Sequence, residues 1–542
     1  MRTYFLTFLF LLLFGFWGFA QPAPEYDTTI DVLAYKLDLN LLNNFKSKKE
    51  RAFEATESVS FIIKSVREDS TVWFHASDKT IEIRLILGAT VIRKENDKIY
   101  LKPTDIFSPG DTVIINFEYS HTGQEDQAFF VSKGSVFTNN SPSEARSWFI
   151  CKDHPSDKAL FSISLAVPPD VTVGAVGMMT ALEDSLSGKK WTWESSYPMA
   201  TYLMVFSASS DYGVTRLTVK SKVTGKSIPI QLYWRKSEDK EAINYIYKMV
   251  PYMIDWFEQR FGPYPFEKVA FATLTSDFLY GGMENQGFIT LCSNCWYDLL
   301  VVHEFAHQWF GDLITPSNWK DIWLNEGFAE YMEALWAEDL TEDRKFYTDM
   351  MKDFADVYFR SKPEDAICEP KWDYSDLDGL DFYKSELIYK KAACVLHIFR
   401  EEVTKPVFME ILKRYTANEN IKYGNATTDT LIQVVNEVTG KDYTWFFNQW
   451  LNYPKHPVYK NKFEFKKENG EDYLFATIAQ TDRPEIYYQA TIELKINYKD
   501  GTSEVQSVFN SENGQLFKIK VKPGAKSVEF DPENKIILKE VK

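Results

Sequence analysis

Two histidines and a glutamate constrain the fold of this chain more than any other feature. His303 and His307 stand four positions apart, with Glu304 directly after the first, and Glu326 follows His307 after eighteen further residues. Residues four apart on a helix lie on one face, so both imidazoles can reach a single ion while Glu304 lies at its edge. The fold must therefore hold this helix against the segment that carries Glu326.

The residue types in this pattern are those that zinc binds. Zinc takes nitrogen and oxygen ligands in a tetrahedral arrangement, and a catalytic site leaves one position to water, so a third protein ligand is required. A loop of about ten residues separates the two helices predicted here, and helices joined in this way pack antiparallel, which returns Glu326 to the histidines. We predict one zinc ion bound by His303, His307 and Glu326. Packed histidines without a metal are the competing interpretation of the pentapeptide.

Glu304 has the position of a general base and acid. Zinc lowers the pKa of a water that it binds to near neutrality, and an adjacent carboxylate that is not a ligand can take the proton as water attacks a carbonyl. Glu304 can then return this proton to the leaving amine. The pattern therefore predicts a zinc-dependent hydrolase.

Length and charge limit the architecture and the partners. A chain of 542 residues predicts about three or four domains. With 77 acidic and 61 basic residues the net charge is -16, which disfavours nucleic acid and anionic membranes as main partners.

The first twenty residues have the composition of a secretory signal peptide. An almost wholly apolar run from Phe5 to Phe16 precedes Gly18 and Ala20, small residues at the positions that a signal peptidase reads. We predict cleavage after Ala20 and an exported protein, periplasmic or extracellular, that is soluble after cleavage. The apolar run approaches membrane-spanning length, so an uncleaved membrane anchor stays open as the alternative.

The number and spacing of the cysteines do not indicate a catalytic role for them. Five cysteines are few for an exported chain of this length, so disulfides are not the main support of the fold. Cys292 and Cys295 form a close pair, but a zinc knuckle would need a second pair or nearby histidines. A local disulfide or two free thiols are the interpretations left open.

Alternating apolar residues predict β-structure at both ends of the chain, and helical spacing predicts helices between them. We expect a helix from Glu241 to Phe261 to open the second domain, and His154 to be a surface residue. The predicted fold class is multidomain, with an N-terminal all-β domain, a mixed but mostly helical catalytic domain and a small C-terminal β-sandwich. The predicted boundaries are signal peptide 1–20, β domain 21–213, zinc-site domain 214–455 and β-sandwich 456–542.

Further motifs carry a family resemblance. The zinc pattern continues into Gln308-Trp309-Phe310-Gly311, Glu326 lies in Asn325-Glu326-Gly327-Phe328-Ala329, and Gly281-Gly282-Met283-Glu284-Asn285 precedes both. Together they resemble the aminopeptidase N-type zinc peptidases of family M1, gluzincins with HEXXH and GXMEN motifs, which also include leukotriene hydrolase. The resemblance extends over nearly the whole mature chain, without the family's helical C-terminal domain. It implies a thermolysin-like catalytic domain and peptide substrates with a free N-terminus.

The resemblance assigns substrate contacts to the segment before the zinc helix. It implies that Glu284 binds the free α-ammonium and rejects blocked peptides, because its charge would otherwise lie buried and unpaired. Gly281 and Gly282 would let the substrate backbone lie alongside this strand, and Met283 and Asn285 complete the substrate-binding segment.

The resemblance also implies a second donor to the oxyanion, a tyrosine followed by a lysine two residues later. Tyr389, with Lys391, matches that position, and Tyr383 is the rival. The family usually has glycine where this chain has Ala392.

Glu333 is the candidate partner for a metal-bound imidazole, which normally donates its other N–H to a carboxylate or carbonyl. It lies two helical turns beyond Glu326, and a solvated helix carboxylate is the alternative.

Three functions are compared. The leading hypothesis is an exported zinc aminopeptidase. An epoxide hydrolase of the leukotriene hydrolase type is the second, with Gly281-Gly282 before Met283 as a hint toward that branch. A catalytically silent binding protein is the third, and the intact motif residues argue against it. The sequence leaves the oligomeric state and the preferred N-terminal residue open.

Overall fold

A computed structural model describes residues 26–47, 50–132, 134–185, 187–368, 386–481 and 486–542. Strands dominate the first and last parts of the described chain, and helices dominate the middle. This order confirms the predicted fold class. The predicted signal peptide and Tyr383 lie outside the described residues, and the exact domain boundaries stay predictions.

The N-terminal part consists of mixed β-sheets around an apolar core. Its largest sheet has the order β12-β13-β10-β1-β2-β7-β4, and smaller sheets have the orders β11-β15-β9-β8 and β3-β6-β5. Alternate residues of β1, including Tyr35, Leu37 and Leu39, are buried, as the period of two requires. The strands are β1 Ile30–Asn40, β2 Phe53–Ile63, β3 Val72–His75, β4 Ile81–Leu87, β5 Ala89–Glu95, β6 Lys98–Pro103, β7 Thr112–His121, β8 Phe129–Ser132, β9 Ser135–Thr138, β10 Lys158–Val167, β11 Thr172–Ala175, β12 Met178–Ser185, β13 Gly188–Glu194, β14 Met199–Ala200 and β15 Phe206–Ser209.

A separate sheet belongs to the part that carries the zinc motif. Its strands are β16 Tyr212–Lys220, β17 Ser227–Arg235, β18 Val269–Thr273, β19 Gly282–Met283 and β20 Ile289–Leu291, in the order β16-β17-β18-β20-β19. The expectation that a helix opens this part is wrong. The hairpin β16–β17 comes first, and β17 pairs in parallel with β18 after the helix crosses between them, as parallel neighbours require.

The helices pack on this sheet and on one another. They are α1 Lys240–Phe261, α2 Asp298–Ala306, α3 Trp323–Thr341, α4 Arg344–Ser361, α5 Ala392–Val403, α6 Lys405–Thr416, α7 Thr428–Thr439 and α8 Thr444–Asn452, with a π-helix at Leu387–Lys391 and short 3-10 helices at Ala145–Ser147, Thr201–Leu203 and Trp319–Asp321. Strands β21 Ile314–Pro316 and β22 Gly424–Ala426 pair in parallel beside them. Among the described residues no helix combines the length and apolarity needed to cross a membrane.

The C-terminal part contains two small antiparallel sheets, with the orders β24-β25-β28 and β27-β26-β29. Gln449 of α8 binds this part through two hydrogen bonds of 2.8 Å with the backbone of Gln489. The strands are β23 Val458–Tyr459, β24 Lys462–Glu468, β25 Glu471–Ile478, β26 Ala490–Tyr498, β27 Ser503–Asn510, β28 Gln515–Lys520, β29 Ala525–Phe530 and β30 Glu540–Val541.

The structure tests two predictions about loop residues. His154 is buried rather than at the surface, because its ring stacks on Tyr26 with the ring centroids 4.0 Å apart. The expectation of a surface histidine is therefore wrong. Cys292 and Cys295 form a disulfide, which selects one of the two interpretations that the sequence left open.

Candidate active site

The structure brings His303, His307 and Glu326 together at the packing of α2 on α3. The Nε2 atoms of His303 and His307 lie 3.4 Å and 3.3 Å from Glu326 Oε2. All three residues are buried. Ligand atoms on a tetrahedral zinc at about 2.0–2.1 Å lie about 3.3–3.4 Å from one another. The donor set and its separations therefore fit a zinc ion.

The Nδ1 atoms of both imidazoles, which are turned away from Glu326, have hydrogen-bond partners. His303 Nδ1 lies 2.9 Å from Glu333 Oε1, and His307 Nδ1 lies 3.1 Å from the carbonyl oxygen of Phe310. An N–H on Nδ1 that donates to these oxygens leaves Nε2 free for the ion and orients each ring. The structure thus places Glu333 beside the Nδ1 atom of His303.

Buried carboxylates give the site a strong preference for positive charge. Burial lowers the pKa of His303, but the hydrogen bonds to Glu326 and Glu333 outweigh it and raise that pKa well above its ordinary value. Burial raises the pKa of Glu326, but the facing histidines outweigh burial and lower that pKa to about 2. A divalent cation bound here would stabilise all of these carboxylates, because it would be the largest charge in the site.

Glu304 lies on α2 between the two histidines and faces the cavity that they line. Burial raises its pKa to about 8, and the charges of His303 and His307 act in the opposite direction. Gly282 on β19 lies directly against this side chain, since a Cβ atom at position 282 would lie 2.6 Å from Glu304 Cγ. The missing side chain at Gly282 therefore leaves room for the Glu304 carboxylate.

Glu284 lies on the other side of Glu304. Oxygen atoms of the Glu284 and Glu304 carboxylates and a ring nitrogen of His307 all lie within 4.8 Å of one another. Glu284 is buried, and its Oε1 atom has no hydrogen-bond partner among the described residues. Burial raises the pKa of Glu284, whereas His307 lowers it. Among the described residues, this buried oxygen is therefore free to accept a hydrogen bond from a group that enters the cavity.

The remaining residues of the predicted substrate segment lie nearby but differ in exposure. Met283 lines the cavity, and Asn285 is turned into the protein, where its Oδ1 accepts from the Thr290 hydroxyl at 2.9 Å. Gly281 accepts a backbone hydrogen bond from Cys292 at 2.8 Å and is more exposed. Met283 and the neighbouring Gly282 thus face the cavity, whereas Asn285 supports the segment from behind.

Tyr389 faces the same cavity from the π-helix. Its ring stacks on His303, with the ring centroids 6.0 Å apart. The cavity has a volume of about 30 Å³, enough for an ion and a small group, and is lined by Tyr280, Gly282, Met283, Glu284, His303, Glu304, His307, Glu326 and Tyr389.

An ion pair joins the π-helix to α3. Lys390, which follows Tyr389, pairs with the buried carboxylate of Glu330, one turn beyond Glu326. The pair therefore links the tyrosine and the metal-ligand helix. Sequence reasoning missed it, although a lysine beside the tyrosine and a glutamate four residues after a ligand were visible signals.

Sequence reasoning also missed Gln308 and Tyr280. Gln308 is a fully buried amide directly after His307, and its Nε2 donates to the backbone carbonyl of Glu284 at 3.0 Å. An amide side chain directly before the apolar Trp309 and Phe310 was the available signal, since a buried amide must find partners. Tyr280 carries no sequence pattern that separates it from other tyrosines.

Comparison with protein families follows the same division of the chain. The model of the peptidase M1 N-terminal domain matches residues 31–203, and the model of the peptidase family M1 domain matches residues 245–450. The second match contains every residue of the cavity described above. The chain belongs to peptidase family M1.

Relatives within the family include aminopeptidases of animals and bacteria. The chain is 26% identical over 428 residues to glutamyl aminopeptidase of Bos taurus, a match that covers 74% of this chain and 43% of the relative. It is 27% identical over 331 residues to aminopeptidase N of Lactococcus lactis subsp. lactis, covering 58% of this chain and 38% of the relative. The chain thus spans less than half of the length of these relatives.

Solved structures share the fold at low identity. The M1 zinc metallopeptidase from Deinococcus radiodurans superposes with a TM-score of 0.67 at 21% identity, covering 79% of this chain and 95% of that chain. A two-domain M1 zinc metallopeptidase mutant bound to L-tryptophan gives a TM-score of 0.69 at 20% identity, covering 80% of this chain and 96% of that one.

Proposed function

We propose that this protein is a zinc-dependent aminopeptidase that hydrolyses the first peptide bond of peptides with a free N-terminus. The observation that carries this proposal is the grouping of the Glu284 and Glu304 carboxylates and the His307 imidazole within 4.8 Å. Within one amino acid the backbone nitrogen and carbonyl carbon lie about 2.5 Å apart, and each further residue adds about 3.3–3.6 Å. An ammonium group on Glu284 therefore places the first carbonyl, rather than a later one, beside the base.

The residues present fit a zinc ion held by His303, His307 and Glu326, and such an ion would supply a Lewis acid and an activated water. Glu304 accepts the proton of the attacking water and delivers it to the departing amine. The hydroxyl of Tyr389 donates to the oxygen on which negative charge develops. The proposed site thus combines three parts: the ion, the proton carrier Glu304 and the oxyanion donor Tyr389.

Glu284 supplies the selectivity for a free amine. Its buried carboxylate gains an ion pair only from a substrate with an ammonium group. An N-acetylated substrate would leave this carboxylate without a partner and place an acyl group against it. Discrimination against blocked peptides follows from the cost of that unpaired charge.

Hydrolysis of aminoacyl chromogenic amides tests the function. We expect turnover by the purified protein, loss of turnover with a zinc chelator and recovery on adding zinc. N-acetylated versions of the same amides should resist cleavage, and their efficient hydrolysis would contradict an exopeptidase.

Replacement of Glu304 tests the proton carrier. Glu304→Gln should lower kcat by about 10²–10⁴-fold with the zinc content unchanged, because an amide of the same shape cannot take the proton. Glu57→Gln is the matched control, since Glu57 is a buried glutamate on β2 of the N-terminal β part, and this variant should keep kcat. Loss of zinc in Glu304→Gln would show that Glu304 acts on the metal rather than on the proton.

We also propose that the protein is exported. The apolar run near the N-terminus and the Cys292–Cys295 disulfide support this proposal, because disulfides persist in oxidising compartments. N-terminal sequencing of protein recovered outside the cytoplasm should start close to Gln21. An intact N-terminus in a membrane fraction would instead show that the segment is retained as an anchor.

A further inference from the structure

Gln308 joins the helix of the metal site to the segment that carries Glu284. It follows His307 directly, and its side chain is fully buried. Its Nε2 atom donates to the carbonyl oxygen of Glu284 at 3.0 Å, and its Oε1 atom accepts from the backbone N–H of Gly287 at 2.9 Å. One amide group thus binds both ends of the four-residue segment from Glu284 to Gly287.

One further hydrogen bond holds the Gln308 amide itself in place, because Nε2 also donates to Asp312 Oδ2 at 2.8 Å. The hydroxyl oxygen of Tyr264 lies 3.3 Å from Oε1, and its single proton is donated to the carbonyl of Lys268 at 2.7 Å. The orientation of the amide is therefore determined, because both N–H groups and the oxygen have a partner.

Further described hydrogen bonds join the segment to the sheet. The carbonyl of Gly287 accepts from Ala270 N at 3.1 Å, and Asn285 accepts from Thr290 of the neighbouring strand. Strand β19 pairs with β20 only through Gly282 and Met283 within the described ladder. These bonds attach the segment to its sheet, whereas Gln308 relates its position to the histidines.

We propose that Gln308 is a positioning residue for recognition of the substrate amine. It sets the separation between the Glu284 carboxylate and the metal site, and so selects cleavage after one residue. This inference rests on the proposed aminopeptidase function. Glutamine is required because the segment offers one carbonyl and one N–H, so the side chain between them must both donate and accept.

Binding of two zinc-chelating inhibitors tests the proposal without depending on turnover. The probes are an amino acid hydroxamate with a free α-amino group and the same compound without that group. The ratio of their inhibition constants measures how much the α-amino group contributes to binding affinity. The variants are Gln308→Met, which has neither donor nor acceptor for these bonds, and Gln308→Glu, which keeps the shape and the acceptors but loses the donor.

Gln449→Met is the matched control. Gln449 is likewise a buried amide that bridges two backbone groups, but it lies at the contact of α8 with the C-terminal strands. Zinc content and the midpoint of thermal unfolding are measured for every variant.

In both Gln308 variants we expect the ratio of the two inhibition constants to fall about tenfold or more. The reason is that the Glu284 carbonyl loses its buried donor. The inhibitor without the amine should bind as to the wild type, zinc should stay bound, and Gln449→Met should keep the full contribution of the amine. Where Gln308→Met does not fold, the isosteric Gln308→Glu decides the outcome.

Two results would overturn the inference. One is an unchanged contribution of the amine in the Gln308 variants, and the other is an equal loss for both inhibitors together with loss of zinc, which would assign Gln308 to the metal site. A wild-type protein that binds both inhibitors equally would instead contradict the proposed aminopeptidase function itself.

Discussion

At position 282 the absence of a side chain decides where Glu304 can lie. A Cβ atom there would lie 2.6 Å from Glu304 Cγ, closer than real Cβ contacts allow. Neither Gly281 nor Gly282 has a positive φ angle, so alanine is compatible with both backbones. The consequence of a substitution at 282 is therefore a displaced carboxylate rather than a strained main chain.

Gly282→Ala should lower kcat about tenfold or more while the protein stays folded, because a small displacement of a general base costs its contribution to proton transfer. Gly281→Ala is the neighbouring comparison. Its Cβ atom would meet only Leu300 Cδ1, at an ordinary contact distance of 3.5 Å, so the loss should be smaller. Steady-state kinetics with zinc content measured in parallel check this prediction, and equal losses in both variants would contradict it.

Helix α3 packs against the start of α5 so closely that position 327 has no room for a side chain. A Cβ atom on Gly327, next to the ligand Glu326, would lie 2.6 Å from the Cβ atom of Ala392. Ala392 begins α5 directly after the π-helix that carries Tyr389. π-helical turns are frequent at functional sites, and this close contact lies three residues after Tyr389.

A double-mutant cycle on Gly327 and Ala392 tests this packing. Gly327→Ala should destabilise the protein by about 1–3 kcal/mol, because overpacking outweighs the better helix propensity of alanine. Ala392→Gly removes the opposing methyl group, so the double variant should recover at least about 1 kcal/mol relative to additivity. Urea unfolding of the four proteins measures the coupling, and strictly additive effects would show that the two helices adjust independently.

Stability of the whole molecule depends on buried histidines that lie outside the active site. Burial lowers the pKa of His397 to about 4, with Glu401 acting against this shift and Arg344 and Arg400 adding to it. The unfolded chain binds a proton on this residue below about pH 6.5. Because the folded-state pKa is the lower one, His397 contributes stability that is present above pH 6.5 and is lost as the pH falls from 6.5 through 4.

Between pH 7 and pH 5 this loss should amount to about 2 kcal/mol for His397. Buried carboxyl groups with raised pKa values, such as Glu57, have the opposite slope over this range, so the test compares two proteins. The free energy of unfolding of His397→Gln should fall less than that of the wild type as the pH falls. Parallel curves would show that His397 is protonated in the folded state as well.

Periodicity and spacing along the chain predicted the order of β and helical parts, and they predicted that His303, Glu304, His307 and Glu326 lie together in one site. These features are local, because a helix repeats every 3.6 residues and a ligand set follows from residue types at fixed offsets. The prediction that a helix begins the second part was wrong. The hairpin β16–β17 belongs to this part because β17 pairs with β18, and α1 separates these two strands in the sequence. The burial of His154 was missed for the same reason, because Tyr26 is distant in sequence.

The amino-acid sequence by itself determined which chemical groups the site contains. It also determined the family to which the chain belongs. Only the tertiary structure decided their separations. It placed Glu284 within 4.8 Å of the base and His307, opened space for Glu304 at Gly282, and joined Gln308 to the Glu284 backbone. These contacts link residues that are many positions apart, and their distances depend on how a strand, two helices and a π-helix pack together. Local sequence patterns predicted that the two helices pack together, but they do not give these distances.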